Sequence, residues 1–258
     1  MISSKANSKI KNVVALQKHS KTRKEQKAFV VEGLKMFEEL PREKIKEVYA
    51  TEAFASKYES LLAGMVVEIV DEKIFELMSD TKTPQGVLCV AKQMDYELTE
   101  LLEKPETFLL ILEDLQDPGN VGTIFRTAEG AGVDGIILSE NCVDIYNPKT
   151  TRATMGSIYR IPFLYTDDMG AVLKELEKKK ITTYAAHLQA KTAYDQEDYQ
   201  KGSAFLIGNE GKGLSKELTK VAKKLIKIPM AGEVESLNAA VAATVLMYEG
   251  NRQRRRET

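Results

Sequence analysis

Apolar residues along this chain switch repeatedly between short continuous runs and a helical spacing. Continuous runs are typical of buried strands, and a repeat at every third or fourth position is typical of amphipathic helices. Two basic helical segments, "NSKIKNVVALQKHS" and "SKTRKEQKAF", come first. Further helices are predicted at 33–40, 53–62 and after Asp71, and strands at 29–31, 47–51, 65–70 and in "PQGVLCVAK". Strands that alternate with helices predict a small α/β domain.

A polar stretch at 93–106, which contains Pro105, separates this unit from a second α/β series. Domain boundaries are expected in such stretches. We therefore expect a first domain at 1–95, a linker at 96–106 and a second domain at 107–258. In the second domain we predict strands at 108–113, 135–138, 162–165, 182–186, 204–207 and 225–228. Helices are predicted at 121–131 and 169–179, after Asn147 with Pro148 at the first position, near 215 and from 237 onward.

Composition adds little except through the distribution of charge. The chain has 258 residues, 43% of them hydrophobic and 29% charged, and a formal net charge of −1, as in ordinary soluble globular proteins. Cations are nevertheless concentrated at both ends, where they form either an anion-binding surface or solvated helix faces and a tail. They are Lys5, Lys9, Lys11, Lys18, Lys21, Arg23, Lys24 and Lys27 at the start and Arg252, Arg254, Arg255 and Arg256 at the end.

Cysteine and histidine usage argues against a metal or disulfide framework. Cys89 and Cys142 lack a CxxC partner, and His19 and His187 are far apart, so no zinc site is expected. Cys89 lies in the apolar run "GVLCVA" and is expected to be buried. The N-terminus has no apolar secretory core, and no segment approaches the roughly 20 apolar residues of a membrane span. We expect a cytoplasmic protein with no membrane partner.

Three strand–turn–helix units carry the candidate chemistry. In the first, "DPGNVGTIFRTA", the chain leaves a strand and Asn120 or Gly122 can start the helix. Arg126 points away from the apolar face of that helix, near the sheet edge where open α/β folds bind ligands. Taken singly, Arg126 is either a surface ion-pair partner or a ligand-binding group. Asn120 is likewise either an ordinary helix cap or a site residue.

The second unit, "IGNEGKGLS", has three glycines within six positions, which permits close approach of the backbone to a ligand. Glu210 would repel a phosphate, and Lys212 lacks the spacing of a phosphate loop. The turn therefore suits a ligand that is cationic or rich in hydrogen-bond donors. The alternative interpretation, a glycine turn with a purely structural role, stays open.

The third unit, "IPMAGEVESLNAAVAATVLMYE", leads into the last helix. Ser236 can cap that helix, and its alanines permit close packing. Asn238, taken alone, is a local hydrogen-bonding residue. A continuous apolar stripe is predicted from Leu237, Ala240, Val241, Thr244, Val245 and Tyr248.

Together these segments resemble a known family. The strings "NVGTIFRTA", "GNEGKGLS" and "IPMAGEVESLNAAVAA", in this order, resemble the three signature motifs of the SpoU/TrmH family, RNA ribose 2′-O-methyltransferases of the SPOUT superfamily. The resemblance covers about 108–252, and the intervening "MGSIYRIP" fits it. Upstream, "FVVEGLKMFEEL" and "TKTPQGVLCVAK" resemble the accessory substrate-binding domain of the family, which is similar to ribosomal protein L30e.

The resemblance implies a fold, a cofactor and an assembly. The implied fold is α/β, a mostly parallel sheet with helices on both faces and a C-terminal trefoil knot, preceded by the smaller L30e-like α/β domain. S-adenosylmethionine would sit bent in the knot, and no metal is implied. The alanine-rich last helix matches the homodimer interface of the family, where each active site takes residues across the two-fold axis. Carried over, the cofactor-binding residues are Gly208, Asn209, Glu210, Gly211, Ile228, Met230 and Leu237.

The implied reaction is attack by a ribose 2′-oxygen on the sulfonium methyl group. By resemblance Arg126 is the central catalytic residue, and Asn120, Glu210, Ser236 and Asn238 arrange it and the substrate. A guanidinium scarcely deprotonates below about pH 12, so phosphate binding and stabilisation of the 2′-alkoxide are the favoured roles of Arg126. Proton removal through a neighbouring phosphate or a transiently neutral Arg126 stays open.

The expected substrate is structured RNA, specifically the 23S RNA of the large ribosomal subunit. The long first domain is the basis for preferring ribosomal RNA, and its basic helices predict RNA binding that weakens steeply with added salt. Two alternatives remain, a transfer-RNA ribose 2′-O-methyltransferase and a non-catalytic ribosome-associated RNA-binding protein. A nucleotide-dependent oxidoreductase is disfavoured because G-x-G-x-x-G is absent.

Overall fold

The computed structural model describes residues 1–255, so Arg256, one of the cations predicted at the C-terminal end, lies outside the described residues. The described chain forms two compact units. Unit 1 consists of Met1–Met94 and Asp144–Tyr159, and unit 2 consists of Asp95–Val143 and the chain from Arg160 onward.

Unit 1 contains a four-stranded sheet with the strand order β1-β4-β2-β3. Only the β2–β3 pair is parallel. The predicted elements are confirmed with shifted ends, and the helix predicted at 53–62 is interrupted at Tyr58. A 3-10 turn at Arg42–Lys44 precedes β2. The strands are β1 Ala28–Glu32, β2 Ile45–Ala50, β3 Val67–Ile69 and β4 Val87–Lys92, and the helices are α1 Ser8–Lys18, α2 Ser20–Gln26, α3 Leu34–Glu39, α4 Glu52–Lys57, α5 Glu59–Leu62 and α6 Glu72–Met78.

Local sequence signals account for these elements. Asn7 caps α1 by accepting the Lys9 N–H, and α1 then buries Ile10, Val13 and Leu16 on one face. Asp71 caps α6 as predicted. All five positions of β1 are buried, as expected for a strand covered on both faces.

The cationic start of the chain is only partly a free surface. Arg23 is 2% exposed, and its guanidinium donates to the carbonyls of Leu16 and Gln17 and pairs with Asp144 at 2.7 Å. The prediction of Arg23 as a surface cation is therefore wrong, because its guanidinium is buried and is paired and hydrogen-bonded within unit 1. Lys9 pairs with Glu68. In contrast, the following lysines are exposed and have no polar partner within the described chain: Lys5, Lys11 and Lys18.

The remaining elements follow in chain order, and most of the predicted ones are confirmed. The short strand β9 and the helix α7 inside the predicted linker were not predicted. Two 3-10 turns lie at Ser157–Tyr159 and Tyr194–Gln196. The helices are α7 Leu98–Leu101, α8 Pro118–Ala131, α9 Pro148–Ala153, α10 Met169–Lys178, α11 Lys216–Val221 and α12 Ala239–Arg254, and the strands are β5 Phe108–Leu112, β6 Gly135–Ser139, β7 Phe163–Thr166, β8 Thr182–Ala186, β9 Thr192–Ala193, β10 Ser203–Ile207 and β11 Lys224–Lys227.

Unit 2 is built on a seven-stranded sheet with the order β7-β6-β5-β10-β8-β11-β9. Every strand pairing in it is parallel. Strand β10 lies between β5 and β8, so a late segment of the chain occupies the centre of the sheet. This arrangement confirms the predicted mostly parallel α/β fold. The trefoil knot stays a prediction.

Helices cover both faces of this sheet. Leu109 and Ile111 of β5 point to one face, where they share a buried apolar cluster with residues of α10 and α11. Phe108 points to the opposite face. There Gly250 of α12 approaches so closely that a Cβ atom on it would lie 2.6 Å from the Phe108 ring. The predicted two-sided cover is therefore confirmed.

Helix α9 packs in unit 1, although the sequence places it inside the second predicted domain. Asn147 caps α9 as predicted, and Arg152 pairs with Asp80 at 2.7 Å. Cys89 and Cys142 are both buried, and burial raises the pKa of each thiol. Among residues 1–255, no helix is both long and apolar enough to cross a bilayer. The cytoplasmic location stays a prediction.

Candidate active site

The carboxyl ends of parallel strands meet at one edge of the unit 2 sheet, and three turns begin there. We call them the β5 turn (113–117), the glycine turn (208–214) and the C-terminal turn (228–238). They follow β5, β10 and β11, and they correspond to the three units that the sequence indicates as candidate chemistry. Ligands in open α/β sheets bind at this edge.

A cavity of about 460 Å³ lies at this edge, between the glycine turn and the C-terminal turn. Its wall includes every residue predicted to bind the cofactor, together with Ser236. Among the described residues, no group of three His, Cys, Asp or Glu side chains is placed to hold a metal ion. The predicted residues that line the cavity are Gly208, Asn209, Glu210, Gly211, Ile228, Met230, Ser236 and Leu237.

One wall of the cavity was missed by the sequence analysis. It is formed by the last residue of β8, Ala186, and the segment that follows it, which contributes His187, Leu188 and Gln189. The N–H of Gln189 donates to Nδ1 of His187 at 3.2 Å. The position of this segment after a predicted strand of a parallel sheet is the signal that could have found it.

Glu210 is the polar centre of the site. Its carboxylate accepts the backbone N–H groups of Gln116 at 3.2 Å and Asp117 at 3.1 Å, and the side-chain amide of Asn120 at 3.1 Å. Partial burial raises the pKa of the Glu210 carboxyl, but these donors outweigh it, so the pKa lies below its ordinary value. Glu210 is therefore ionised at neutral pH and joins the glycine turn to the β5 turn.

Asn120 and Asn238 extend this network to the C-terminal turn. The amide of Asn238 donates to Oδ1 of Asn120 at 3.0 Å. Oδ1 of Asn238 accepts the N–H groups of Ala240 at 2.9 Å and Val241 at 3.3 Å. Asn238 therefore caps α12. The hydrogen bonds between Glu210 and Asn120 and between Asn120 and Asn238 join the three turns to one another.

Two predicted helix starts are wrong. Ser236 does not cap α12, because Asn238 holds that position, and Ser236 is exposed at the cavity instead. Helix α8 starts at Pro118 rather than at Asn120 or Gly122, because the Asp117 side chain accepts the Asn120 N–H at 2.7 Å. Asn120 therefore lies in the first turn of α8, where its side chain is free to reach Glu210.

Arg126 is not part of this hydrogen-bonded network. It lies six residues after Asn120, about 9 Å along α8, and its side chain is exposed. It makes no ion pair or hydrogen bond with any described residue, so the interpretation of Arg126 as a surface ion-pair partner is wrong. The structure places it on the outer surface of α8.

The outer surface of α8 continues onto α12, since the two helices pack together and run in the same direction. Asn120 meets Asn238 at their starts, and Asn251 donates to the Ala131 carbonyl at their ends at 3.1 Å. The predicted apolar stripe of α12 does not face the core as a whole, because Val241 and Tyr248 are 48% and 49% exposed. The buried residues of α12 are Ala239, Ala240, Ala243, Leu246, Met247 and Gly250.

The sequence model of the SpoU rRNA Methylase family matches residues 107–248, a stretch that includes all three turns. The chain belongs to the SpoU rRNA methylase family. The predicted membership is confirmed, and with it the prediction that the protein is an RNA methyltransferase. Residues 7–89 match the MRM3-like substrate binding domain, which agrees with the accessory domain predicted upstream.

This SpoU family member has relatives along its whole length. The 23S rRNA (guanosine(2553)-2'-O)-methyltransferase RlmP of Bacillus subtilis (strain 168) is 30% identical over 96% of this chain and 97% of its own. The 23S rRNA (guanosine-2'-O-)-methyltransferase RlmB of Bordetella pertussis is 30% identical over 82% of this chain and 91% of its own. The AdoMet-bound rRNA methyltransferase from Sinorhizobium meliloti superimposes with a TM-score of 0.84 and 31% identity, over 97% of both chains.

Proposed function

We propose that this protein transfers a methyl group from S-adenosylmethionine to a ribose 2′-hydroxyl of 23S ribosomal RNA. The observation that carries the proposal is the meeting of the three family motifs around one cavity, joined by Glu210, Asn120 and Asn238. The names of the relatives from Bacillus subtilis and Bordetella pertussis support ribosomal RNA as the substrate.

The methyl donor is S-adenosylmethionine, because the AdoMet-bound relative shares the fold of this SpoU family member over almost the whole chain. The predicted cofactor is thereby confirmed. The cavity also fits it chemically. Its size is within the usual range for small-ligand sites, and apolar walls from Ile228, Met230 and Leu237 suit the cofactor's apolar parts. The ionised Glu210 suits a ligand that carries positive charge.

When bound, S-adenosylmethionine supplies an electrophilic sulfonium methyl group. We assign the other tasks to side chains of the protein. Glu210 fixes the amide of Asn120, which in turn fixes the amide of Asn238, so both amides are held ready to position the ribose. Ser236 stands at the cavity, where its hydroxyl can hydrogen-bond to the RNA. Arg126 binds a substrate phosphate and stabilises the developing 2′-alkoxide.

The exposed position of Arg126 supports the proposal that the active enzyme is a homodimer. Arg126 lies one helical turn before Gly130 of α8, and a Cβ atom at Gly130 would lie 3.2 Å from the Tyr248 hydroxyl of α12. Tyr248 and Val241 of α12 are both exposed. Packing of this surface against a second copy would place Arg126 of each copy at the edge of the interface, where a substrate phosphate can pair with its charge. Each active site would then contain residues from both copies.

RNA binding is assigned in the first place to unit 1. Its match to a substrate-binding domain supports this assignment, as do the exposed and unpaired lysines of α1 and its N-terminal flank. Such lysines attract phosphates through an electrostatic free energy that falls with salt.

The deciding experiment is a methyl-transfer assay with labelled S-adenosylmethionine and 23S RNA, followed by mass-spectrometric mapping of the methylated ribose. We expect Arg126→Ala to lower turnover by about a hundredfold or more while the affinity for S-adenosylmethionine is unchanged. Transfer by the unaltered protein to transfer RNA alone would contradict the proposed substrate. Turnover by Arg126→Ala equal to that of the unaltered protein would contradict the catalytic role of Arg126.

A further inference from the structure

The turn that follows strand β5 contains a residue with an unusual backbone conformation. Asp114 has φ +56°, in the left-handed region that non-glycine residues rarely adopt. Such a conformation persists only where surrounding interactions hold it, so Asp114 must be held by its neighbours. It stands in the β5 turn, beside the candidate active site, but its side chain does not line the cofactor cavity.

Ser139, the last residue of β6, holds Asp114 through a reciprocal pair of hydrogen bonds. The N–H of Asp114 donates to Oγ of Ser139 at 2.8 Å, and the Ser139 hydroxyl donates back to Oδ1 of Asp114 at 2.7 Å. These two bonds fix both the backbone and the side chain of Asp114, and therefore the direction of its carbonyl group.

That carbonyl is aimed at the glycine turn. It accepts the side-chain amide of Asn209 at 2.7 Å. Oδ1 of Asn209 accepts the N–H groups of Gly211 and Lys212, both at 3.0 Å, and the Asn209 carbonyl accepts the Gly213 N–H at 2.9 Å. The internal hydrogen bonds of the glycine turn thus converge on one asparagine, and Asp114 orients that asparagine.

We propose that Ser139 and Asp114 are positioning residues that set the cofactor affinity by holding Asn209, and through it the glycine turn, in the binding conformation. Neither residue is among those that the sequence motifs indicate for the site. The inference rests on the proposed function, because it takes the cavity beside the glycine turn as the site of S-adenosylmethionine. Both residues act through Asn209 and have no contact with the cofactor cavity themselves.

Substitution of Asp114 distinguishes two possible roles, a purely conformational role of its backbone and a role of its side-chain bond to Ser139. If only the left-handed backbone mattered, glycine would serve at position 114 as well as aspartate, since glycine adopts positive φ without a steric penalty. If the link to Ser139 matters, Asp114→Gly fails because it has no side-chain acceptor. Asp114→Asn succeeds in this case, because asparagine tolerates the left-handed region and keeps an oxygen for the Ser139 hydroxyl.

The test is calorimetric titration of S-adenosylmethionine into the full-length protein and its variants, with thermal unfolding to verify that each is folded. We expect Ser139→Ala and Asp114→Gly to raise Kd by about tenfold and Asp114→Asn to stay within about threefold of the unaltered protein. In the methyl-transfer assay the first two should raise KM for S-adenosylmethionine and leave kcat at saturation nearly unchanged. The matched control is Thr166→Ala, which removes a hydroxyl from the register partner of Ser139 on β7, where it bonds only locally to the Asp168 N–H.

Unchanged affinity in Ser139→Ala or in Asp114→Gly would overturn the inference, as would an equal loss in Thr166→Ala. An unaltered protein that does not bind S-adenosylmethionine would instead overturn the proposed function, so the two failures are distinguishable.

Discussion

Single residues control the candidate site in two physically different ways. Gly208 acts by having no side chain, because a Cβ atom there would lie 2.1 Å from the Gly213 carbonyl carbon and from the Leu214 nitrogen. Glu210 acts by its charge, which attracts N–H donors from another turn of the chain. Substitution of Gly208 tests the steric effect on the glycine turn, and substitution of Glu210 tests the electrostatic effect.

The steric role of Gly208 predicts that Gly208→Ala loses cofactor binding. Both clashing atoms belong to the backbone, so the glycine turn has to open and the cavity wall moves. We expect the Kd for S-adenosylmethionine to rise by more than about tenfold, measured by calorimetric titration. The control is Gly232→Ala, because a Cβ atom at Gly232 would have no neighbour within 4 Å. Equal affinities for the two variants would contradict the steric role.

The charge of Glu210 predicts a stability that depends on pH. Because its pKa in the folded protein is below the ordinary value of 4.5, Glu210 stabilises the fold above that pH, and the stabilisation is lost as pH falls through the lowered pKa. We expect Glu210→Gln to lower the free energy of unfolding at pH 7 by about 1 kcal/mol, a small effect because solvent reaches the carboxylate.

Urea unfolding of both proteins between neutral and acidic pH measures this difference. The gap between them should shrink as the pH falls from 4.5 through the lowered pKa, because Glu210 is protonated first in the unfolded chain and only at lower pH in the folded protein. Glu38→Gln, on the exposed side of α3, is the control and should show no gap at any pH. A gap for Glu210→Gln that is the same at every pH would show that the charge is not the cause.

At the scale of elements, α12 joins the site to the core of unit 2. Its first residues are capped by Asn238 of the site network, and its last turn is held by Arg254. The Arg254 guanidinium lies 4.6 Å from the centre of the Phe108 ring and donates to the carbonyls of Tyr199 and Glu106. Arg254 was predicted as part of a cationic tail, but its hydrogen-bonding groups are used inside the fold.

The structural role of Arg254 predicts a loss of stability rather than a loss of RNA binding. We expect Arg254→Leu to lower the free energy of unfolding by about 2 kcal/mol, because carbonyl groups lose their charged donor. Thermal unfolding measures this, and filter binding measures RNA affinity. The control is Arg252→Leu, since Arg252 is exposed and pairs only with Glu249 of the same helix. A stable Arg254→Leu protein with weakened RNA binding would support the cationic-tail interpretation instead.

At the scale of the whole molecule, the chain passes between the two units three times, at 94–95, 143–144 and 159–160. The segment Asp144–Tyr159 is held in unit 1 by the bond between the Tyr146 hydroxyl and the Met94 N–H, 2.8 Å, and by the Arg152–Asp80 pair. The two units are therefore not two consecutive pieces of sequence. In the proposed homodimer, which would form through α8 and α12, each active site would contain residues from two copies of the chain.

The homodimer is tested by charge insertion into its proposed interface. We expect the double variant Val241→Asp, Tyr248→Asp to sediment as a monomer and to lose methyl transfer, because a buried carboxylate without a partner is costly. Analytical ultracentrifugation measures the mass. The control is Val66→Asp, Leu77→Asp, which changes two exposed apolar residues of unit 1 that are 87% and 56% exposed. A monomeric unaltered protein with full activity would contradict the proposal.

The sequence alone determined the order and type of nearly all elements, the parallel α/β class and the three motif turns. These features depend on local information, since periodicity, caps such as Asn147 and glycine-containing turns involve residues only a few positions apart. Family membership was also evident from the sequence, because three spaced motifs had to coincide. The prediction that the glycine turn suits a cationic or donor-rich ligand followed from the presence of Glu210 among its glycines.

Only the tertiary structure decided how side chains are used. The sequence pattern predicts Arg23 and Arg254 as surface cations, yet the guanidinium group of each donates hydrogen bonds to backbone carbonyl groups in the fold. Asn238 rather than Ser236 caps α12, and α9 joins unit 1. The bonds of Glu210 and Asn209 to the β5 turn join residues more than ninety positions apart. Burial and long-range hydrogen bonds arise from packing between distant segments, and no local pattern specifies which distant group will be the partner.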